Sequence, residues 1–443
     1  MIERIDYSGE LGDRESLAER LLGLGLAPAA ALGRAELFAR AAAAWKATHP
    51  GPTDRPTGFY VPGRIEVLGK HTDYAGGQTM VVAAERGFCL VVSARSDPLV
   101  KVVDAVRQEA AGFELAPGLV PRSDHWSNYP ATVARRIARN FPGARCGATI
   151  ALASDLPQAA GMSSSSAFIV ATFLALAEVN GLAAHQAYQE NVHDLTDLAG
   201  YLATVENGQT FGSLEGDRGV GTFGGSEDHT AILCARPGLI SEYAYCPVRF
   251  RRTIPLPPGY TFAVGTSGVV AEKTGSAREK YNAASHLAAL VAGGPDAAER
   301  LRELVRVAEE ESPDRRDALI RRLGHFVVEN VEVLPAAGEA LARADLAQFG
   351  ALVDVSQRAA EELLGNQVPE TSQLAASARS LGAAAASAFG AGFGGGVWAL
   401  VETAGADDFL QAWAESYRRR FPEHVDRCEF LLTGAGPAAL QVG

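Results

Sequence analysis

The stretch Ala167–Val179 carries apolar side chains almost all the way round a helix, with no charged position before Glu178. A helix that is apolar on every side has no face to show water, so in a soluble chain it is a buried helix. Around it lie short β-rich runs at Ile65–Leu68, Cys89–Ser93, Gly147–Leu152, Tyr260–Thr266 and Val397–Val401. Helical spacing marks the region before Pro56, then Trp126–Phe141, a single helix over His185–Glu206, and charge-laced sequence from about Ser276 to Leu381. Strands and helices mix without regular alternation, which favours α+β over a doubly wound sheet. The 443 residues are roughly two to three times the size of one domain, so two are expected, 1–245 and 246–443. Gly208–Gly225 is glycine-rich and polar and reads as an irregular loop.

Composition narrows the function classes. With 47% hydrophobic residues the chain is globular. Its 40 basic and 52 acidic residues leave a net charge of −12, which argues against nucleic acid or an anionic membrane as partner while allowing a local anion pocket. Five cysteines, far apart and without a CxxC pair, fit a reducing cytoplasm better than a disulfide framework or a zinc site. The start of the chain has no basic segment ahead of its first apolar stretch, so no signal peptide is expected. The 21 uncharged residues Leu381–Val401 reach membrane length, but are mostly Ala, Gly and Ser. They read as a soluble helix, a glycine turn and a strand. The 47 glycines are a surplus that must serve places where the backbone takes unusual angles or approaches something closely.

Three segments concentrate the chemistry. The first is Pro62-Gly-Arg-Ile-Glu-Val-Leu-Gly-Lys-His-Thr-Asp-Tyr-Ala-Gly-Gly77. It nearly contains a Walker A loop, but its glycines are one residue too far apart, His71 stands where Ser or Thr belongs, and no helix follows. His71 and Asp73, two apart, face the same way on extended backbone. They fit a metal, the hydroxyls of a polyol, or an ordinary polar turn. The second is Leu156-Pro-Gln-Ala-Ala-Gly-Met-Ser-Ser-Ser-Ser-Ala167. Ser163, Ser164, Ser165 and Ser166 enter the buried helix at its positive end, and Gly161 allows close approach, which is the construction of a phosphate site. Plain helix capping needs only one of those serines. The third, Gly390-Ala-Gly-Phe-Gly-Gly-Gly396, satisfies GxGxxG but runs from helix into strand, the reverse of a dinucleotide fingerprint. Backbone there passes close to a ligand or to another backbone.

In this order the three segments resemble the GHMP family of small-molecule kinases, and within it the galactokinases. The first is similar to the galactokinase signature, conventionally Gly-Arg-Val-Asn-Leu-Ile-Gly-Glu-His-Thr-Asp-Tyr-Asn-Gly-Gly. The second resembles the family's phosphate loop and the third its C-terminal glycine motif. The resemblance runs from about residue 58 to the end. It implies an α+β, two-domain GHMP kinase fold: a ribosomal protein S5 domain 2-like N-terminal domain, a ferredoxin-like C-terminal domain, and the active site in the cleft between them. It also implies ATP-dependent phosphorylation of a monosaccharide at its anomeric hydroxyl, with galactose the default substrate, ATP and Mg²⁺ required, and no obligate protein partner.

Residue by residue, the resemblance makes Arg64 the stabiliser of transferring charge and His71 and Asp73 contacts to sugar hydroxyls. The catalytic aspartate of a Met-Asp-Gln element corresponds to Asp228, within Glu227-Asp228-His229. The Mg²⁺-binding glutamate of a Glu-Asn pair corresponds to Glu206, with Ser165 as second ligand, and Tyr281 matches a tyrosine near the sugar. Gly161 and Ser163–Ser166 would hold the ATP phosphates. Arg64 beside Asp228 would keep that base ionised and weak, which a loose phosphoryl-transfer transition state tolerates. The two are 164 residues apart, so the fold must bring them together. The signature glutamate is replaced by Lys70, a donor-only cation where the resemblance implies a sugar contact. Glu206 and Asp228 are 22 residues apart, with the loop Gly208–Gly225 inserted between them. These departures leave open a kinase for another sugar or sugar derivative, and a sensor that binds sugar and ATP without turnover.

Overall fold

The computed structural model describes residues 2–48, 56–157, 160–269, 306 and 313–443. A short strand β1 (Glu3–Ile5) and helices α1 (Arg14–Leu22) and α2 (Pro28–Thr48) come first. The long strands β2 (Thr57–Leu68) and β3 (Gln78–Ala94) follow, then β4 (Leu99–Asp104), β5 (Glu109–Glu114), α3 (Asn128–Asn140) and β6 (Ala148–Ser154). Next come α4 (Ser164–Val179), α5 (Gln186–Asn191), α6 (Leu195–Asn207), α7 (Glu227–Cys234), β7 (Leu239–Ala244), β8 (Arg249–Pro255) and β9 (Tyr260–Thr266). The remainder holds α8 (Pro313–Val327), a π-helical segment Val328–Val333, α9 (Leu334–Ala342), α10 (Leu346–Ala359) and α11 (Pro369–Ser380). It closes with β10 (Ala385–Phe389), β11 (Gly396–Glu402), α12 (Ala406–Arg420), β12 (Phe430–Thr433), β13 (Ala435–Gly436) and β14 (Leu440–Val442).

One sheet runs β1-β14-β2-β3-β6-β4-β5, with β13 and β7 also paired to β3 and β8 paired to β7. Its β1–β14 and β4–β6 pairs are parallel and the others antiparallel. The second sheet, β10-β11-β9-β12, is antiparallel. Residue 245 lies in the turn between β7 and β8, and both of those strands belong to the first sheet. The last strands, β13 and β14, also return to it.

Strand β2 is buried from Gly58 onward because the sheet is covered on both faces. Phe59 and Val61 alternate into a core shared with α3, α4 and α6, while Tyr60 points the other way into the core of α1 and α2. The register shifts between Pro62 and Arg64 and again between Glu66 and Leu68. Such bulges re-aim side chains. Past the first shift, Ile65 and Val67 enter a third core with Val264, Trp398 and Leu400, which packs one sheet against the other. Each such side chain contributes about 1.5–3 kcal/mol on full burial. Helix α4 is buried continuously from Ser166 to Leu176, as its all-round apolar sequence requires.

Two elements differ from their expected form. His185–Glu206 is two helices, because Asp194 turns its carboxylate back to accept from the Thr196 and Asp197 amides and starts α6 afresh. Leu381–Val401 is a hairpin: Ala385 pairs with Leu400 and Phe389 with Gly396. The alanines prefer helix in isolation, but here a full strand partner and the cover of α10 and α11 decide their conformation.

The loop 208–225 is irregular yet firmly tied. Asp217 accepts from Arg135 Nε at 2.7 Å and lies 3.6 Å from the fully buried Arg136. The Arg136 guanidinium also donates to Asn140 and to the Gln209 carbonyl. Asp217→Ala leaves two buried guanidiniums without their carboxylate and should cost about 3–5 kcal/mol, read from urea denaturation. A loss below about 1 kcal/mol would mean that the remaining hydrogen bonds hold the loop by themselves.

Candidate active site

The three glycine- and serine-bearing segments meet around one cavity of about 270 Å³. Arg64, His71 and Asp73 line it from the first, Gly161 to Ser166 from the second, and Gly390, Ala391 and Gly392 from the third. Glu206, Glu227 and Asp228 complete the wall. The question left open by the late glycine motif is answered by backbone. A Cβ on Gly161 would stand 2.8 Å from the Phe389 carbonyl oxygen, and one on Gly390 would stand 3.0 Å from that of Gly161. The two loops lie against each other, and only glycine permits it at their positive φ of 75° and 77°.

Arg64 and Asp228 are in direct contact. The Arg64 Nε donates to Asp228 Oδ1 at 2.8 Å, and a second guanidinium nitrogen lies 2.6 Å from the same oxygen. The third nitrogen donates to the Gly161 carbonyl. Glu227 Oε1 is 3.5 Å from Arg64 Nε. Burial works against the Arg64 charge, but Asp228, Glu227 and Glu66 outweigh it and hold the guanidinium protonated. Asp228 Oδ2 accepts from Ser166 Oγ at 3.1 Å, and the same hydroxyl lies 2.8 Å from Glu206 Oε2. One hydroxyl proton serves only one of them at a time.

His71 ties the turn that follows β2 to the late glycine loop. Its Nε2 is 3.0 Å from the Ala391 carbonyl, which can only accept, so Nε2 carries the proton and Nδ1 accepts from Tyr74 Oη at 2.6 Å. Burial, with Arg322 next in effect, pushes the imidazole down to about 4, so the ring is neutral. Asp73 accepts from the Glu227 amide at 3.1 Å. Burial, opposed by that amide and reinforced by Asp228, pushes its carboxyl up to about 6.

Ser163 stands at the N-cap of α4 with a left-handed backbone, and its side chain makes no cap hydrogen bond. Capping by Ser163 thus does not account for the serine run, which lines the cavity at the first turn of α4. Glu206 Oε2 and the Ser166 hydroxyl, 2.8 Å apart, offer oxygen donors at that same end, with Ser165 on the same wall and His229 Nε2 3.3 Å from that Glu206 oxygen. Oxygen donors suit a hard cation such as Mg²⁺. It is Ser166, beside the expected Ser165, that lies between the two acids.

Lys70 is not on the cavity. The turn rotates its side chain to α10, where the ammonium donates to Ser356 Oγ at 2.8 Å, and the Gly69 and Lys70 amides both donate to Glu329. A sugar contact by the Lys70 side chain is thus replaced by a buried anchor beneath the turn. Tyr281 lies outside the described residues. Several cavity residues were not found from sequence. Glu66 shares the strand face of Arg64 at i+2, a signal that was there to be read. Thr222 and Gly224 of the inserted loop, and Tyr129 of α3, had no such signal. A second cavity of about 450 Å³ shares Tyr129, Ser164 and Ser165 with the first and is lined by Phe88, Trp126 and Phe168. The Trp126 and Phe168 rings stack at 6.1 Å there.

Three family models match the chain. Residues 50–94 match the galactokinase galactose-binding signature, 128–213 the GHMP kinases N terminal domain and 338–419 the GHMP kinases C terminal domain. A galactokinase of Roseiflexus sp. (strain RS-1) is 30% identical over 369 residues, covering 80% of this chain and 86% of that one. The chain belongs to the galactokinase family of GHMP kinases. A galactokinase of Actinobacillus pleuropneumoniae is 26% identical, over 82% of this chain and 89% of its own. Among solved structures, Lactococcus lactis galactokinase complexed with galactose superposes with a TM-score of 0.70 at 21% identity, covering 89% of this chain and 97% of that one. Methanococcus jannaschii mevalonate kinase follows the same fold with a TM-score of 0.53 at 13% identity, over 87% and 99% of the two chains. Against the galactokinase signature, this member carries Glu66 in place of Asn and Lys70 in place of Glu.

Proposed function

We propose that the protein transfers the γ-phosphoryl group of ATP to the anomeric hydroxyl of galactose. The observation that carries the reading is the Arg64–Asp228 pair, its guanidinium buried and its carboxylate reaching the cavity, on the same wall as the first turn of α4 and the His71–Asp73 turn. Phosphoryl transfer needs reactants aligned and charge offset more than it needs covalent help. Asp73 and His71 orient the sugar. Asp228 accepts the proton of the attacking hydroxyl. Arg64 offsets charge on the group in flight, which preorganised donors in a dry site do well. Gly161 and the amides of Ser163–Ser166 receive the phosphates at the positive end of α4. Glu206 and Ser165 would hold a Mg²⁺, which neutralises phosphate charge when bound. The base of the nucleotide takes the second cavity, against Trp126 and Phe168.

The chain divides near residue 245 into two domains, 1–245 and 246–443: the first carries the larger sheet, which β8, β13 and β14 join from beyond that point, and the second carries the β10-β11-β9-β12 sheet. Among the described residues no helix is long and apolar enough to cross a membrane. The test is ADP release with Mg-ATP over a panel of hexoses, pentoses and uronic acids. Galactose should give the highest kcat/KM. Binding of sugar with no turnover on any of them would replace this reading with that of a sensor.

A further inference from the structure

His229 is a buried imidazole that neither the packing nor phosphoryl transfer uses. It follows Asp228 on α7, where that helix packs against α4 and α6, and is 1% exposed. Among the described residues neither of its ring nitrogens has a hydrogen-bond partner. A buried polar atom nearly always has one, and leaving it without one costs its desolvation in full. The ring is nonetheless beside a candidate cation ligand. Its Nε2 lies 3.3 Å from Glu206 Oε2, close but without a hydrogen bond. The same oxygen is 2.8 Å from Ser166 Oγ. A nitrogen and a hydroxyl thus flank one carboxylate oxygen where three helices converge.

Donor atoms bound side by side to one ion, each at roughly 2.0–2.2 Å, stand about 3 Å apart and face the ion instead of each other. The spacing of His229 Nε2 and Glu206 Oε2, with no hydrogen bond between them, has that character. We propose that His229 is a ligand of the cation held by Glu206 and Ser166, and that its nitrogen gives this site a preference for a transition-metal ion such as Co²⁺ or Mn²⁺ over Mg²⁺. The inference rests on the reading of Glu206 as a cation ligand. With an ion held there, Nε2 and Oε2 both gain a partner. The Ser166 hydroxyl, which cannot donate to two acids at once, is then left to donate to Asp228 Oδ2 at 3.1 Å.

The nitrogen matters because of the ion it suits. Mg²⁺ is a hard ion that takes oxygen ligands and gives up its water reluctantly. Imidazole suits later first-row ions, and affinity rises from Mn²⁺ to Co²⁺ and beyond. In the Met-Asp-Gln element that Glu227-Asp228-His229 resembles, the residue after the aspartate is Gln, whose amide offers an oxygen. H229Q therefore exchanges a nitrogen donor for an oxygen donor at one position, and donor type is the property that separates these ions.

The experiment begins without nucleotide or sugar. Co²⁺ and Mg²⁺ are titrated calorimetrically into the natural chain and H229Q. The natural chain should bind Co²⁺ at least about tenfold tighter than Mg²⁺. H229Q should lose about ten- to a hundredfold in Co²⁺ affinity, with Mg²⁺ affinity changed by less than about threefold. Equal Co²⁺ affinity in the two chains, or an equal loss for both ions, overturns the proposal. Pulsed electron paramagnetic resonance of bound Mn²⁺ does not depend on a variant that folds: the natural chain should show coupling to a directly bound nitrogen. Absence of that coupling overturns the ligand. Coupling that survives in H229Q assigns the nitrogen to another histidine, with the same consequence. ADP release with Mn-ATP and with Mg-ATP over the sugar panel separates the two readings. Nitrogen coupling that depends on His229, with no sugar turnover under either ion, would reject the kinase reading and keep the site. Sugar turnover without the coupling would keep the kinase reading and reject the site.

Discussion

Asp228→Asn should lower kcat about a thousandfold while leaving ATP affinity close to that of the natural chain. The amide keeps an oxygen for Arg64, which donates to Oδ1 at 2.8 Å, so the ion pair becomes a neutral-acceptor hydrogen bond and the fold is retained. On the other side the new NH₂ meets Ser166 Oγ, now 3.1 Å from Oδ2. That hydroxyl can turn its proton to Glu206 at 2.8 Å. What the amide cannot do is take a proton from a sugar hydroxyl. ADP release under saturating sugar and calorimetric ATP binding read the two quantities separately. If kcat survives, Asp228 is not the base, and Glu227, one residue earlier, is next to test.

Removing Arg64 should be the more damaging change, because it strikes the chemistry and the core together. Arg64→Met leaves Asp228, Glu227 and Glu66 around an apolar side chain, and breaking a buried pair from one side costs about 3–5 kcal/mol. Activity should vanish. The acids can escape by taking up protons, so the loss should be smaller near pH 5 than at pH 8. The direction follows from Glu66, whose carboxyl burial has already pushed up to about 7. Groups with raised values lose stability as pH rises through them. Arg64→Lys keeps a charge but gives up the fork that spans Asp228 and the Gly161 carbonyl. It should fold well and lose about a hundredfold or more in kcat. Urea titrations at the two pH values, beside the ADP-release assay, separate the effects. Equal stability of Arg64→Met and the natural chain at pH 8 would show that the carboxyl cluster does not depend on this cation.

Much of this site was legible because its parts are local. His71 and Asp73 share a face over two residues, and the serines lead into α4 without a break. The apolar periodicity of α4 stated its burial outright. Lys70 was misread for an equally physical reason. Its place in the turn suggested a sugar contact, yet its direction depends on Ser356 and Glu329, more than 250 residues away in sequence. The Ala-rich run 385–389 became a strand for the same reason, since only β11 and the helices above it could override its helical preference.

What the sequence determined by itself was the set of chemical parts: an arginine signature turn, a helix terminus for an anion, a base candidate at Asp228 and glycines where backbones must touch. Spacing along the chain carries those, because they depend on neighbours within a few residues. What only the tertiary structure decided was the company each part keeps. Arg64 and Asp228, 164 residues apart, meet because the register shifts in β2 turn Arg64 toward α7. The same packing brings Glu227 to 3.5 Å from Arg64 Nε, and no local pattern reports how many carboxyls will face one guanidinium. Burial and charge pairing are sums over the whole fold, so the protonation of this centre is a property of the folded chain alone.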